Sequence, residues 1–563
     1  KGSIEYNDYG QLVKNCVSLK DPFVDKTFPD HPAHEKCGQT PVKWKRILDI
    51  NPRATLFSSS GALPSDVVQG GCANSPFLVV LAALAKQPKL LQKVCPTLDW
   101  SCESPAPSDQ PGTLEFVDPY RANVFTFNFW KWGKWIEVIV DDNLPFFGDL
   151  PAFSRCRNNQ EYWVSLVEKA YAKLHGSYQA IECCTIEDSI LDLTGGSCET
   201  LNLNIPPSQY DILWDTLKIF KKNNFLMFCS IETEDRLAAN RVLVQPNGLL
   251  IGRPYQITDC IQLKPSKSNY SRSDKLVKLS TIWEGYQWKG EWGPDSKEMI
   301  ALSAKNIQKN KLTFGKLEFW MPLHELVAQF DSIHIGKPLA ILKKPCFSVL
   351  EDLESYGSPK FHNWAKNPQY LVTVNSSDDI LHISMLQQDW KIFVRDTKKT
   401  QLSIGIVLFK VEDNRDVKIH RIGEITAISE YTNRREASIH ARVTKGRYII
   451  LPSTYEKKTT FPCYLRIWTE KSPCQCKLLK RGAPKKGFLK NRHTGVLTVE
   501  IVKAKGLKKA GVISCDPYAE VSVEGSTKKN NSSIKHSRSR MGTKIYILFK
   551  KTRKSISKNY NLA

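Results

Sequence analysis

From residue 367 to residue 470 the chain is a succession of short β-rich runs, spaced at about ten residues with turn signals between them. That rhythm predicts an antiparallel sandwich. Upstream the pattern is mixed. Phe77-Leu-Val-Val-Leu-Ala-Ala-Leu-Ala-Lys reads as a helix, with Asn74-Ser75-Pro76 in front as cap and first-turn residues. From Val124 to Asp142 the sequence reads as two alternating strands around Gly133. A second helix runs from Glu161 to Leu174, its apolar residues recurring at three- and four-residue spacing. Residues 210 to 330 alternate strands and loops, with Trp283, Trp288, Trp292 and Trp320 among them. An α+β region therefore precedes an all-β one.

With 563 residues the chain has room for roughly three or four domains. Its 41% hydrophobic content suits packed globular structure. No apolar run of about 18 residues is present, so no transmembrane helix is expected. The sixteen cysteines are scattered, and the close pairs Cys183-Cys184 and Cys474-Gln-Cys476 lack zinc-site spacing. Ordinary thiols in a reducing, cytoplasmic setting are the expectation. The net charge of +23 is uneven: residues 526–563 carry eleven Lys and Arg and no acid. A basic tail on a mixed-charge body argues against a surface organised for nucleic acid. Lys480-Arg-Gly-Ala-Pro-Lys-Lys-Gly reads as a linker, after which Gly495-Val-Leu-Thr-Val-Glu starts a further β module that fades after Gly525.

Several strings resemble the calpain family. They include Gln11-Leu-Val-Lys-Asn-Cys, Phe23-Val-Asp-Lys-Thr-Phe-Pro, Val42-Lys-Trp-Lys-Arg and Phe129-Trp-Lys-Trp-Gly-Lys-Trp-Ile-Glu-Val-Ile-Val-Asp-Asp-Asn-Leu-Pro. Leu166-Val-Glu-Lys-Ala-Tyr-Ala-Lys-Leu-His-Gly-Ser-Tyr and Asp192-Leu-Thr-Gly-Gly are near-literal family strings. Asn367-Pro-Gln-Tyr, Tyr431-Thr-Asn-Arg-Arg-Glu and Gly446-Arg-Tyr-Ile-Ile-Leu-Pro-Ser-Thr-Tyr resemble the C2-like sandwich that follows the protease core. Gly495 onward, with Asp516-Pro-Tyr, resembles the start of a true C2 domain. No EF-hand loop appears, so the layout resembles the calpains that end in C2. The resemblance implies a papain-like core of two lobes, 1–195 and 196–330, a C2-like sandwich over 345–478, a partial C2 domain over 493–525 and a basic tail over 526–563. That tail is expected to be disordered or an artefact.

The resemblance also places a Cys-His-Asn triad, and all three positions hold other residues. In Gln69-Gly-Gly-Cys-Ala-Asn-Ser75-Pro-Phe-Leu, Gln69 matches the oxyanion-hole side chain while Ser75 stands in the cysteine slot. A hydroxyl is far more basic than a thiol and needs a neighbouring base before it can attack. Arg253 occupies the histidine slot in Gly252-Arg253-Pro-Tyr255, and a guanidinium cannot give up its proton. Between His175 and His324 there is no histidine to stand in. Thr281 replaces the asparagine. The expectation is a calpain-like protein silent as a peptidase, acting by binding protein partners or extended peptides, with cytoskeleton or anionic membrane as candidates for its basic surface. The alternative is residual endopeptidase activity using Ser75 or Cys72.

For calcium, the family's first core site maps to Gly61, Asp66 and Glu161, all oxygen donors of the type hard cations take. At the second site Gln287, Pro294 and Lys316 stand at ligand positions, leaving Glu318. At most one core calcium site is expected. In the C2-like start Asp516 has Ala510 where a partner aspartate belongs, so no calcium switch is expected there.

Overall fold

The structure, a computed structural model, describes residues 22–28, 36–37, 40–96, 123–233, 242–263, 275–300, 312–389, 401–480, 495–500 and 544–549, apart from 59, 183, 343–344 and 458, together with 12, 15, 16 and 18. It divides into two compact units, residues 1–410 with 424–477, and residues 411–423 with 478–563. Among the described residues no helix is long and apolar enough to cross a membrane.

Lobe 1 is built around helix α1, Ser75–Ala85. Phe77-Leu-Val-Val-Leu-Ala-Ala-Leu-Ala is apolar all round, and such a helix has to be surrounded. It is: every residue from Phe77 to Ala85 is at most 6% exposed. Strands β1 (Lys43–Arg46), β2 (Phe125–Lys131), β3 (Lys134–Val140) and β4 (Asn143–Phe147) and helices α2 (Trp163–His175) and α3 (Ile186–Thr194) complete the lobe. β2 and β3 form the hairpin expected around Gly133, whose φ of +84° suits glycine. α2 stops at Gly176, which takes the left-handed conformation of a C-terminal cap. Stacking of Phe77 on Tyr171 at 4.1 Å between ring centroids ties α1 to α2.

Glu168, on α2, is 1% exposed and reaches the start of α1. Its Oε1 accepts from Asn74 Nδ2 at 2.6 Å and its Oε2 from the Ser154 amide at 2.9 Å. The expected side-chain cap at α1 is therefore not made: Asn74 spends its amide on Glu168, and Ser75 is the first helical residue.

Lobe 2 is a six-stranded antiparallel sheet in the order β5-β10-β6-β7-β8-β9. The strands are β5 (Ser197–Asn202), β6 (Leu226–Ser230), β7 (Pro254–Gln262), β8 (Lys275–Ser280), β9 (Glu318–Pro322) and β10 (Ser332–Lys337). Helix α4, Tyr210–Lys222, packs Leu213, Trp214 and Leu217 into the lobe's own core with Tyr255, Leu279 and Phe319.

The sandwich has one sheet of β11 (Phe347–Ser355), β18 (Thr459–Thr469), β13 (Asp379–Gln387) and β16 (Glu436–Val443), in that spatial order. The other has β15 (Glu424–Ile428), β14 (Ile404–Val411), β17 (Gly446–Thr454), β12 (Tyr370–Val374) and β19 (Gln475–Leu478). Alternation is clean in β16, where Ala437, Ile439, Ala441 and Val443 face the core. Cys346 and Cys474, expected as ordinary thiols, are joined in a disulfide. Their position could not be read from the Cys474-Gln-Cys476 spacing, because Cys346 lies 128 residues away.

Sandwich and lobe 1 meet through buried charge. Arg466 donates to the carbonyls of Gly195 at 2.7 Å and Gly196 at 3.0 Å, pairs with Glu436 at 3.3 Å, and stacks over Trp130 and Trp468. Arg435 donates to Asp192 at 2.7 Å, and His175 bridges Asp192 and Asp389, each at 3.2 Å. Burial alone would push the Asp192 carboxyl up, yet Arg435 and His175 hold it well below the usual carboxylate range.

In the second unit β20 (Gly495–Glu500) pairs antiparallel with β21 (Lys544–Phe549). Of the 526–563 tail, residues 544–549 are described, as this strand. The rest of the 493–525 module, including Ala510 and Asp516, and most of the 526–563 tail lie outside the described residues.

Two outcomes follow from these buried charges. Burial lifts Glu168 from an ordinary 4.5 to about 7, outweighing the bonds from Asn74 and Ser154. The folded protein thus holds a proton that the unfolded chain has released, and stability contributed by this group is lost as pH rises from about 4.5 to about 7, on the order of 3 kcal/mol. Chemical denaturation of Glu168→Gln at pH 5 and pH 8 should show a shallower loss of stability than the parent; equal slopes would refute the assignment. Arg466→Met leaves Glu436 buried without its cation and the Gly195 and Gly196 carbonyls without their donor, which should cost about 3–5 kcal/mol. Calorimetry should then resolve core and sandwich as separate transitions.

Candidate functional site

Ser75, Arg253 and Gln69 come together at the seam between the lobes. Gln69 starts the tight segment that leads into α1. Gly70 is obligatory there, because a Cβ would lie 1.8 Å from the Phe153 carbonyl oxygen, and Gly71 N–H donates to the Ala152 carbonyl at 2.9 Å. This pins the turn and delivers Ser75 at the first position of the helix. From lobe 2, Gly252 at φ +70° turns the chain into β7 and presents Arg253.

Arg253 Nη1 donates to Ser75 Oγ at 3.2 Å and to Gln69 Oε1 at 3.3 Å. Burial lowers its pKa, but a guanidinium remains a cation. The Trp283 indole donates to the same Gln69 oxygen at 3.1 Å, and its ring lies 5.8 Å from the guanidinium carbon. Gln69 sends its amide nitrogen the other way, to the Cys72 carbonyl at 2.8 Å. Thr281 follows β8, and its hydroxyl accepts from the Trp283 amide at 3.2 Å. Among the described residues no histidine is a hydrogen-bond partner of Ser75. His175 is buried at the sandwich junction and His324 lies half-exposed near Glu291. Cys72 is 1% exposed and its thiol donates to the Tyr178 carbonyl at 3.8 Å, on the lobe 1 side of the turn.

The chemistry of this arrangement is donor-rich and acceptor-poor. A hydroxyl nucleophile needs a group that takes its proton, and the group beside Ser75 can only donate. Stabilising an acyl oxyanion needs N–H groups aimed at it, and Gln69 offers its oxygen. What remains is a positively charged, hydrogen-bonded seam.

Asp66 and Glu161 lie on the lobe 1 side, both under 9% exposed. Asp66 Oδ2 accepts from the Leu63 amide at 2.7 Å, and Glu161 Oε1 from Asn158 at 2.8 Å. Glu161 Oε2 is buried without a hydrogen-bond partner. Burial pushes the Asp66 carboxyl up, against the pull of the Leu63 amide, and Glu161 pushes it further. Two buried carboxyls, one with an orphaned oxygen, form a donor set that suits a hard cation. Gly61 stands nearby in sequence at φ +71°.

The lobe 2 side differs. Glu318 Oε2 is held by Lys278 Nζ at 2.5 Å and Oε1 by Lys86 Nζ at 3.4 Å. Burial would raise its carboxyl, but Lys278 and Lys86 bring it below the ordinary value. Gln287 donates to the carbonyls of Gly315 at 2.7 Å and Glu318 at 3.2 Å, and Lys316 is exposed. Lys86, Lys278 and Trp283 are site residues that motif reasoning did not assign. The lysines carry no signal in the sequence, whereas the tryptophan sits two residues after Thr281 in a string already singled out.

Comparison with known proteins accords with this geometry. The pattern of the calpain family cysteine protease matches residues 23–337, and that of the calpain large subunit, domain III, matches residues 355–468. Calpain-5 of Mus musculus is 29% identical over 555 residues, covering 92% of this chain and 84% of that protein. Calpain-5 of Caenorhabditis elegans is 28% identical, with 87% and 80% covered, and calpain-9 of Homo sapiens 27% identical, with 82% and 67% covered. Matched over more than half its length, the chain belongs to the calpain family of cysteine proteases.

Proposed function

We propose that this calpain-family chain works as a binding or regulatory protein and not as a peptidase. The observation that carries the reading is the contact of Arg253 Nη1 with Ser75 Oγ at 3.2 Å: the position that should remove a proton holds a group that cannot accept one. Loss of one triad member typically costs about 10⁴ to 10⁶ in turnover, and joint losses little more. Ser75 and Cys72 are the residues an active alternative would need. Ser75 faces a donor, and the Cys72 thiol is tied to the Tyr178 carbonyl. The proposed ligand is an extended segment of a protein partner laid between the lobes, where Trp283 and the turn from Gln69 persist.

Calcium enters the proposal at one place. Asp66 and Glu161, with the Gly61 carbonyl, would hold the ion, and its charge would neutralise two buried carboxyls. Nothing comparable favours a second ion at Glu318, whose oxygens already carry lysines.

Casein incubated with the protein and calcium, with an active calpain alongside, should remain uncut; turnover abolished by Ser75→Ala would reverse the reading. Ser75→Cys offers a sharper test. Beside Arg253 and at a helix start its thiol should titrate below the free value of about 8.5, as read by the pH profile of alkylation, yet casein should stay intact because the guanidinium beside it can only donate. Calcium at a hundredfold excess over its dissociation constant should stabilise the protein by about 2.7 kcal/mol in thermal melts. Glu161→Gln should abolish that shift, and acid should weaken it, because the raised Asp66 must give up its proton to bind. A parent melt indifferent to calcium would remove the ion from the proposal.

A further inference from the structure

We infer that the two lobes are latched to one another by the chain's own fixed cations, with Arg253 as the central bolt, so that the cleft is assembled without calcium. The inference stands apart from the absence of peptidase chemistry. It concerns what holds the halves together.

Among the described residues, five side-chain contacts cross the seam around α1, while farther along it Glu187 of α3 pairs with His334 of β10 at 3.2 Å and accepts from Thr200 of β5 at 3.3 Å. At its centre Arg253 reaches from lobe 2 to Ser75 and Gln69 on lobe 1, at 3.2 and 3.3 Å. Trp283, also from lobe 2, donates to Gln69 at 3.1 Å and packs against the cores of both lobes. On one flank Lys86, the residue that caps α1, pairs with Glu318 of β9 at 3.4 Å. On the other, Arg157 holds the Ser65 carbonyl of its own lobe at 2.9 Å and Glu284 of lobe 2 at 3.0 Å.

Apolar packing joins the lobes as well, since Cys198, Leu226, Phe228 and Ile282 share a buried cluster with α1, but it is not continuous along the seam. A cavity of about 450 Å³ lies between the lobes, walled by Val79, Ala82, Leu63, Ile282 and Leu317 and flanked by the Lys86–Glu318 and Arg157–Glu284 pairs. Where packing is interrupted, the polar contacts at the rim and centre bear more of the joint. The central ones matter most. Arg253 is 7% and Ser75 2% exposed, so solvent does not compete for them, whereas the side chains of the Arg157–Glu284 pair are 37% and 44% exposed and are screened.

The same geometry removes the place from which a divalent ion could drive closure on the lobe 2 side. Glu318 spends one oxygen on Lys278 and the other on Lys86, Lys278 is held in turn by Thr313 at 2.6 Å, and the carbonyls of Gly315 and Glu318 accept from Gln287. An ammonium bonded to the chain cannot dissociate, so this joint has no concentration to respond to.

Hydrogen exchange of the full-length chain, read by mass spectrometry in calcium and in chelator, tests the latch. Peptides covering 69–79 and 252–258 should already be protected in chelator, and calcium should add no more protection there than it adds to the rest of the core. Arg253→Ala should raise exchange in both peptides by about tenfold or more, while the sandwich strand 404–411 is unchanged. Gln69→Glu, which turns a neutral acceptor into a carboxylate opposite Arg253, should shift the same peptides the opposite way. Should Arg253→Ala expose the sandwich strand as well, Gln69→Leu takes its place and must loosen 252–258 across the seam. Parent protection that appears only with calcium, or seam peptides indifferent to the Arg253 and Gln69 substitutions, would overturn the inference.

Discussion

Helix α1 has no solvent face, and the rest of the core is arranged around that fact. Nine consecutive apolar residues from Phe77 to Ala85 must be covered, and lobe 1 alone does not suffice: β7 of lobe 2 packs on the helix as well. The start of α1 is therefore fixed at the seam whatever residue stands there. A helix start is the positive end of its dipole, and Arg253 adds a full charge to it. A thiolate would be stabilised in that field. A serine hydroxyl gains nothing from it, because the field supplies no acceptor for its proton. The field at the start of α1 is thus in place, while the guanidinium beside Ser75 can only donate.

The treatment of cations divides the two lobes. On lobe 1, Asp66 and Glu161 are buried near one another, and one Glu161 oxygen has no hydrogen-bond partner. That arrangement costs free energy unless a proton or a metal ion relieves it. On lobe 2, Glu318 is relieved permanently by Lys278 and Lys86. Lobe 1 thus keeps one carboxylate oxygen open, while both oxygens of Glu318 carry a lysine. Coupling between the sides would have to pass through α1, whose start touches Arg253 and whose end carries Lys86.

Much of this organisation was legible in the sequence, for identifiable reasons. The β2–β3 hairpin and α2 were readable because their periodicity is strong and their ends carry Gly133 and Gly176, glycines at positive φ. Gln69, Ser75 and Arg253 could be singled out because they sit in long strings with fixed spacing, and the structure gathers them within hydrogen-bond distance. What sequence could not supply were partnerships across large separations. Lys86 and Glu318 are 232 residues apart, and Cys346 and Cys474 128. The orientation of the Gln69 amide was equally hidden, since it depends on who stands opposite. Arg435 and Glu436 lie in the string Tyr431-Thr-Asn-Arg-Arg-Glu that suggested the sandwich. Their work, holding Asp192 and Arg466 at the junction with lobe 1, is invisible without the fold.

The amide of Gln69 also shows that positions 69, 75 and 253 are not independent. A donor at position 253 requires an acceptor opposite it, and Gln69 provides one by turning its oxygen to Arg253 and Trp283 and its nitrogen to Cys72. An oxyanion hole needs the reverse orientation. Arg253 thus offers Ser75 no proton acceptor, donates to its hydroxyl and holds the Gln69 amide with its oxygen toward the seam. Putting a thiol back at position 75 repairs none of these, because each follows from the guanidinium. Residues that act as a unit are coupled, so their effects are not additive. Here the physical reason is one buried cation whose hydrogen bonds dictate the state of its neighbours.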